Sequence, residues 1–201
     1  MSSARFVLQA VKGIQANMEY FATMIPLDCL SKLFIFNNED LPPELRAQRI
    51  LNKARIPAIC DYIIKNPTSY VFSALTASVD GNILFTPIDE KYPSIGTITI
   101  DFSSKLLIND GQHRYAAIKS ALKLNPDLKY EHIPVILYHD LGLKRSQQMF
   151  SDLNKFALRP THSLNIMYDN RDADSKLVKD IIANVPVFKD LVDTEHTSIS
   201  N

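Results

Sequence analysis

The chain has 201 residues, 46% of them apolar, with 22 Lys and Arg balancing 22 Asp and Glu. That length suits one domain, or one domain with a small helical appendage. A formal charge of zero exerts no overall pull on a polyanion, so nucleic-acid binding would have to come from local basic patches.

The opening MSSARFVLQAVKGIQ lacks the continuous apolar core and small-residue cleavage pattern of a secretory signal and is assigned no element. No run reaches membrane-spanning length. Cys29 and Cys60 have no CxxC spacing, which fits two thiols in a reducing cytoplasm. MEYFATMIP, 18–26, reads as a strand ending at proline. LPPELRAQRILNKAR, 41–55, reads as a helix, and Pro57 starts a second one with Ile59, Tyr62 and Ile63 on its apolar face.

Asp80-Gly81 between YVFSALTASV and NILFTPI predicts a hairpin. IGTITIDF and KLLIN, separated by Ser103-Ser104, read as a second antiparallel pair. After KLLIN the period lengthens to a helical one, with Tyr115, Ile118 and Leu122 on one face. HIPVILYH, 132–139, is a further strand. Three helical pieces follow: LKRSQQMFSDLNKF, THSLNIMY and ADSKLVKDIIANV, with Thr161 or Ser163 capping the second. Hairpins interleaved with single helices argue against a doubly wound parallel sheet, and the fold class is α+β, a mixed sheet with flanking helices and a helical C-terminal segment. The expected division is a domain over 1–160 and a helical extension over 161–201 that would begin a further C-terminal part.

The polar turn INDGQHR, 108–114, carries the chemistry. Asn109 or Asp110 can cap the following helix, and Asn109 with Gln112 approximates a capping box, while Gly111 permits the close turn. None of this explains His113 and Arg114. A helix N-terminus is already partially positive, so arginine there calls for an anion or a nearby carboxylate. A strand, tight turn and helix is also the geometry that cradles phosphate. Arg114 can fork onto phosphate oxygens, and His113 can donate a hydrogen bond or pass a proton. Asp110 can orient the imidazole, bind a metal or act as a base.

Asp110-Gly111-Gln112-His113-Arg114 resembles the signature of DGQHR-domain proteins, within the ParB/sulfiredoxin-like group. IPLDCL at 25–30 resembles the opening of ParB-type domains, and residues 48–75 resemble the region preceding the signature. QQMFSDLNKFALRP, 147–160, matches the following segment through Phe150, Leu153 and Asn154. The whole is most similar to the DndB family of bacterial DNA phosphorothioate (sulfur) modification systems. That resemblance implies a DNA-binding regulator of the modification genes rather than a sulfur-transfer enzyme. Sulfiredoxin relatives place a nucleophilic cysteine where Gln112 stands, so their chemistry is excluded here. ParB relatives bind a nucleotide with the corresponding turn, but their motif differs, and CTP specificity does not carry over.

Arg46, Arg49 and Lys53 recur at helical spacing as one basic stripe, suited to phosphate contacts or to a solvated face. Gln48, Arg49 and Arg55 match positions typical of the family. Lys144, Arg145, Lys155 and Arg159 form a second basic set, near Asp152 and Asn154. The candidate catalytic residues are thus Asp110, His113 and Arg114. The candidate nucleic-acid or phosphate ligands are Gln112, Arg46, Arg49, Lys53, Arg55, Asn154 and Lys155. His132, His139, His162 and His196 show no metal-ligand spacing, and no metal is assigned.

Three functions follow. The first is a cytoplasmic regulator that binds double-stranded DNA, with the turn on a DNA phosphate or a nucleotide. The second is an NTPase or metal-dependent nickase using Asp110, His113 and Arg114, for which a nucleoside triphosphate with Mg²⁺ is the candidate cofactor. The third is an assembly module for other proteins of the modification system.

Overall fold

The computed structural model describes residues 4–34, 51–155, 160–188 and 192. It divides into two units, 1–155 and 156–201. The first unit is a seven-stranded mixed sheet with helices, so the α+β class stands.

The strands are β1 (Arg5–Gln15), β2 (Met18–Pro26), β3 (Leu75–Asp80), β4 (Ile83–Pro87), β5 (Ile95–Asp101), β6 (Lys105–Asp110) and β7 (His132–His139). The α-helices among the described residues of this unit are α1 (Leu30–Leu33), α2 (Ile56–Lys65), α3 (Gln112–Leu124) and α4 (Leu143–Lys155). Pro57 lies in the first turn of α2, where its missing N–H costs nothing. The other predicted strands and helices from Met18 onward fall close to these limits, but YVFSALTASV is strand only from Leu75, with Tyr70–Ala74 outside any strand. The first strand has no counterpart in the sequence reading; its partner is β2, reached through Ala16 and Asn17, both at positive φ. Most of the helix expected over 41–55 lies outside the described residues, and its last three, Lys53–Arg55, form a 3-10 turn leading into α2.

Both predicted hairpin pairings are corrected. The sheet order is β4-β5-β1-β2-β7-β3-β6, so β3 does not pair with β4, nor β5 with β6. Instead β4 pairs with β5 and β3 with β6, all antiparallel, while β3 also runs parallel to β7. Residues 75–110 thus form one long hairpin, whose reversal lies at 88–94 and is closed by the Ile88 N–H to Ile95 carbonyl bond of 2.9 Å.

The hairpin is bent at its middle. Gly81 and Asn82 on one arm face residues 102–104 on the other. One half of the hairpin joins β1 and the other joins β7. Three Cα–Cα steps separate Asp80 from Ile83, a span of at most about 11 Å. Strands at positions one and six of the order are therefore held together by the chain, and the sheet must curl round on itself. Asp-Gly is a bend signal in either case; here it makes a corner rather than a reversal.

The core lies inside this curl and beneath the helices. Phe21, Ile25, Leu75, Val79, Ile98, Ile100, Ile133, Val135 and Leu137 are fully buried from the sheet. Ile63 of α2 and Ala117, Ile118 and Ala121 of α3 complete it, with Tyr115 and Leu122 half-buried on the expected face. Small alanines on α3 let the helix lie close to its neighbours.

The second unit contains α5 (His162–Tyr168) and α6 (Ala173–Asn184). Thr161 caps α5 through Leu164 N–H at 3.1 Å, and Asp172 caps α6 through Ser175 N–H at 2.8 Å. Asp169 accepts the N–H groups of Arg171 and Asp172, which holds its carboxyl below the usual range. Among the described residues no helix is long and apolar enough to cross a membrane.

Gly81 has φ of 139°, and a Cβ there would collide with the Ser104 side chain. Gly81→Ala is expected to destabilise the protein by about 1–3 kcal/mol in urea unfolding, because the corner must strain or open. Unchanged stability would contradict the corner.

Candidate functional site

The site is built where β6 ends. Thr76 pairs with Asp110 but Ala77 pairs with Ile108, so Asn109 is an extra residue, a bulge, in β6. Bulges re-aim the side chains that follow, and here they turn the chain into the signature. Asn109 is fully buried and its Oδ1 accepts a 2.7 Å bond from Ser78 Oγ; its Nδ2 has no partner among the described residues. Ser78 Oγ lies 3.5 Å from Ser146 Oγ, which donates to Asp140 at 3.3 Å. This buried polar chain fastens α4 to the signature strand.

The capping expected of Asn109 or Asp110 is not what occurs. The N-cap of α3 is Gly111, in the left-handed region at φ 98°, and no side chain caps the helix. Asn109 is consumed by the bulge and Asp110 by Arg114. A Cβ at Gly111 would strike Leu75 and lie 3.2 Å from the Arg114 guanidinium, so both backbone conformation and space require glycine.

Arg114 is the most engaged residue of the turn. Its Nη2 donates to Asp110 Oδ2 at 2.5 Å, and its Nη1 donates to the carbonyls of Ser73 (2.6 Å) and Ala74 (3.0 Å) and to Ser73 Oγ. The side chain is only 17% exposed. Of the two ways to neutralise an arginine here, anion or carboxylate, the protein supplies the carboxylate itself. Arg114 therefore pins the segment entering β3 to the first turn of α3.

His113 points elsewhere. Successive helical residues lie about 100° apart around the axis, so His113 leaves the turn in a different direction from Arg114. Its Nε2 accepts the Asn52 backbone N–H at 3.2 Å, which requires that nitrogen to be unprotonated. Asn52 is also the N-cap of the Lys53–Arg55 turn, its side chain accepting Ala54 N–H at 3.1 Å. One residue thus joins the uncapped start of α3 to a turn whose Lys53 and Arg55 are both exposed.

Asp110, Gln112, His113 and Arg114 share the end of β6 and the start of α3, and the Asn52–His113 bond sets the Lys53–Arg55 turn beside His113. Arg46, Arg49 and Arg159 lie outside the described residues. Asn154 is exposed and donates to Phe150 carbonyl within α4, and Asp152 accepts from Gln148; Lys155 is exposed at the end of the same helix. The α4 side chain that reaches the signature strand's polar chain is Ser146, through Ser78 of β3. Asn52, Ser73, Ala74 and Ser78 were not singled out by the sequence. Only Asn52 carried a signal, as a capping residue type before a short turn.

Among the described residues no three His, Cys, Asp or Glu side chains gather where a metal ion could be held. Tyr115, on the buried side of α3, donates to Phe34 carbonyl at 2.9 Å, and burial pushes its phenol up. The helix is thereby anchored on both sides while its N-terminus stays at the surface.

Because Arg114 satisfies two carbonyls from a part-buried position, Arg114→Ala should cost about 2 kcal/mol in unfolding free energy. The Asp110 arm, 41% exposed, adds little to that figure. Arg114→Lys should not restore stability, since one ammonium lacks the fork that reaches both partners. Wild-type stability in the lysine variant would contradict this reading.

No curated protein and no solved structure matches the chain. A family model described as DNA-sulfur modification-associated matches residues 8–201, nearly the whole length and the entire site above. The chain belongs to the DndB family.

Proposed function

We propose that the protein is a DNA-binding regulator of a bacterial DNA phosphorothioate modification system, acting on the expression of the modification genes. In this reading the uncapped N-terminus of α3 receives a phosphate of duplex DNA, with Lys53 and Arg55 as flanking cations. The observation that carries it is the bond from Asn52 N–H to His113 Nε2. It ties two exposed cations to a helix start whose own dipole favours an anion. Gln112, at the first helical position, offers an amide to the same ligand. Arg46 and Arg49 extend the basic stripe by sequence, and other proteins of the modification system are the natural partners of a regulator.

The zero net charge agrees with a local contact rather than a wide basic face. Arg114 has a different part here from the direct phosphate ligand first expected: it shapes the turn. The enzymatic alternative needs a free base. His113 Nε2 is occupied by Asn52 N–H, so the imidazole would have to leave that bond before taking a proton there, and Asp110 already shares its Oδ2 with Arg114. Regulation by phosphate contact asks for no such rearrangement. The ParB/sulfiredoxin-like ancestry and a boundary near residue 160 belong to the same proposal.

Binding of duplex DNA should weaken steeply with salt. Lys53→Ala and Arg55→Ala should each reduce the log–log salt slope by about one and lower affinity several-fold across sequences. Fluorescence anisotropy over a salt series measures this. Affinity indifferent to salt and to both substitutions would refute a phosphate contact at this site.

A further inference from the structure

A cleft of about 370 Å³ opens away from the chemistry discussed so far, between residues 67–72 and the start of β7. Leu27, Tyr70, Phe72, Glu131, His132 and Pro134 are among its walls. Its volume is at the small end of the range for small-ligand sites.

Its composition is selective. Glu131 is half-buried and accepts a hydrogen bond from the Tyr70 hydroxyl, yet among the described residues no lysine or arginine pairs with it. Taking a carboxylate out of water without a counter-charge is costly, and one phenol offsets only part of that. Tyr70 and Phe72 stand with ring centroids 5.5 Å apart and planes tilted by 60°. Tyr62 packs against both and accepts Val71 N–H at 2.9 Å, which fixes the aromatic wall. A carboxylate beside aromatic rings is the chemistry that holds an organic cation, by ion pairing and by attraction to ring faces.

The backbone adds a second feature. β7 pairs with β2 from His132 to Tyr138, but β3 joins its other side only from Val135 onward. Among the described residues His132–Pro134 therefore have no strand partner on that side, and this short edge offers backbone groups at the cleft, Pro134 its carbonyl alone. Such an edge accepts an extended chain, while alternate side chains of that chain enter the neighbouring pocket.

We propose that this cleft binds an arginine side chain carried on an extended peptide of a partner protein. The guanidinium pairs with Glu131 against Tyr70 and Phe72, and the peptide backbone runs along His132–Pro134. A planar, weakly hydrated guanidinium suits an aromatic-lined cleft better than a compact ammonium. The proposal does not rest on the DNA reading. It does share a wall with the signature turn, since Phe72 directly precedes the Ser73 and Ala74 carbonyls that hold Arg114.

The test is titration of the isotopically labelled full chain with acetyl-Gly-Arg-Gly-amide and with the same tripeptide carrying citrulline, followed by amide NMR. The arginine peptide should shift the amides of Tyr70, Val71, Phe72, Glu131 and His132, and bind at least about tenfold more tightly than its neutral counterpart. Glu131→Gln should erase that difference. Phe72→Leu, which keeps an apolar wall without a ring, should weaken the arginine peptide several-fold and serves if Glu131→Gln fails to fold. Acetyl-arginine-amide alone should bind more weakly than the tripeptide, as it cannot use the strand edge. Equal binding of the arginine and citrulline peptides, shifts confined to other residues, or no shifts up to about 10 mM would overturn the proposal.

Discussion

The Arg114 guanidinium is the constraint on which the surface chemistry of this protein depends. It ties the end of a strand at Asp110, the first turn of a helix, and the Ser73–Ala74 segment from 40 residues earlier in the chain. Gly111 is part of the same device, because a side chain there would push against both Leu75 and the guanidinium. With that geometry held from the buried side, His113 is oriented from the other by Asn52 N–H. A lone turn of this composition would sample many conformations, and the clamp removes that freedom before any ligand arrives. Preorganisation of this kind lowers the ordering cost of binding.

The sheet serves the same end on a larger scale. By curling until its sixth strand runs into its first through two residues, it brings β6 beside β3 and places the signature turn over the Ser73–Ala74 segment. The Asn109 bulge and the hydroxyl chain through Ser78 and Ser146 then link α4 to β3 and β6. Membership of the DndB family connects this framework to DNA sulfur modification.

Much of this was legible from residue order, and the part that was not has a common cause. Alternation in MEYFATMIP and HIPVILYH, and the helical period after KLLIN, are local patterns, and the elements formed where they predict. Strand pairing is not local. Asp80-Gly81 and Ser103-Ser104 each read as a reversal, but nothing in either dipeptide tells a reversal from a corner; the difference lies in which distant strand each arm meets. The site divides in the same way. The DGQHR residues announced themselves by being too polar for a turn, whereas their partners are 40 to 61 residues away and, except for Asn52, of unremarkable type. Arg114 illustrates the limit well. The need for a neutralising group was readable from its position at a helix start, but not that Asp110 four residues earlier would supply it.

We read the start of α3 and the Lys53–Arg55 turn as one phosphate-binding surface. The most direct test of this reading follows backbone amide resonances while a short duplex DNA is titrated into the labelled protein at low salt. The amides of Gly111, Gln112 and His113 should shift together with those of Lys53 to Arg55, along one binding curve, and return to their free positions as salt is raised. Shifts confined to other surfaces, with Gly111 to His113 unmoved at saturating DNA, would contradict it.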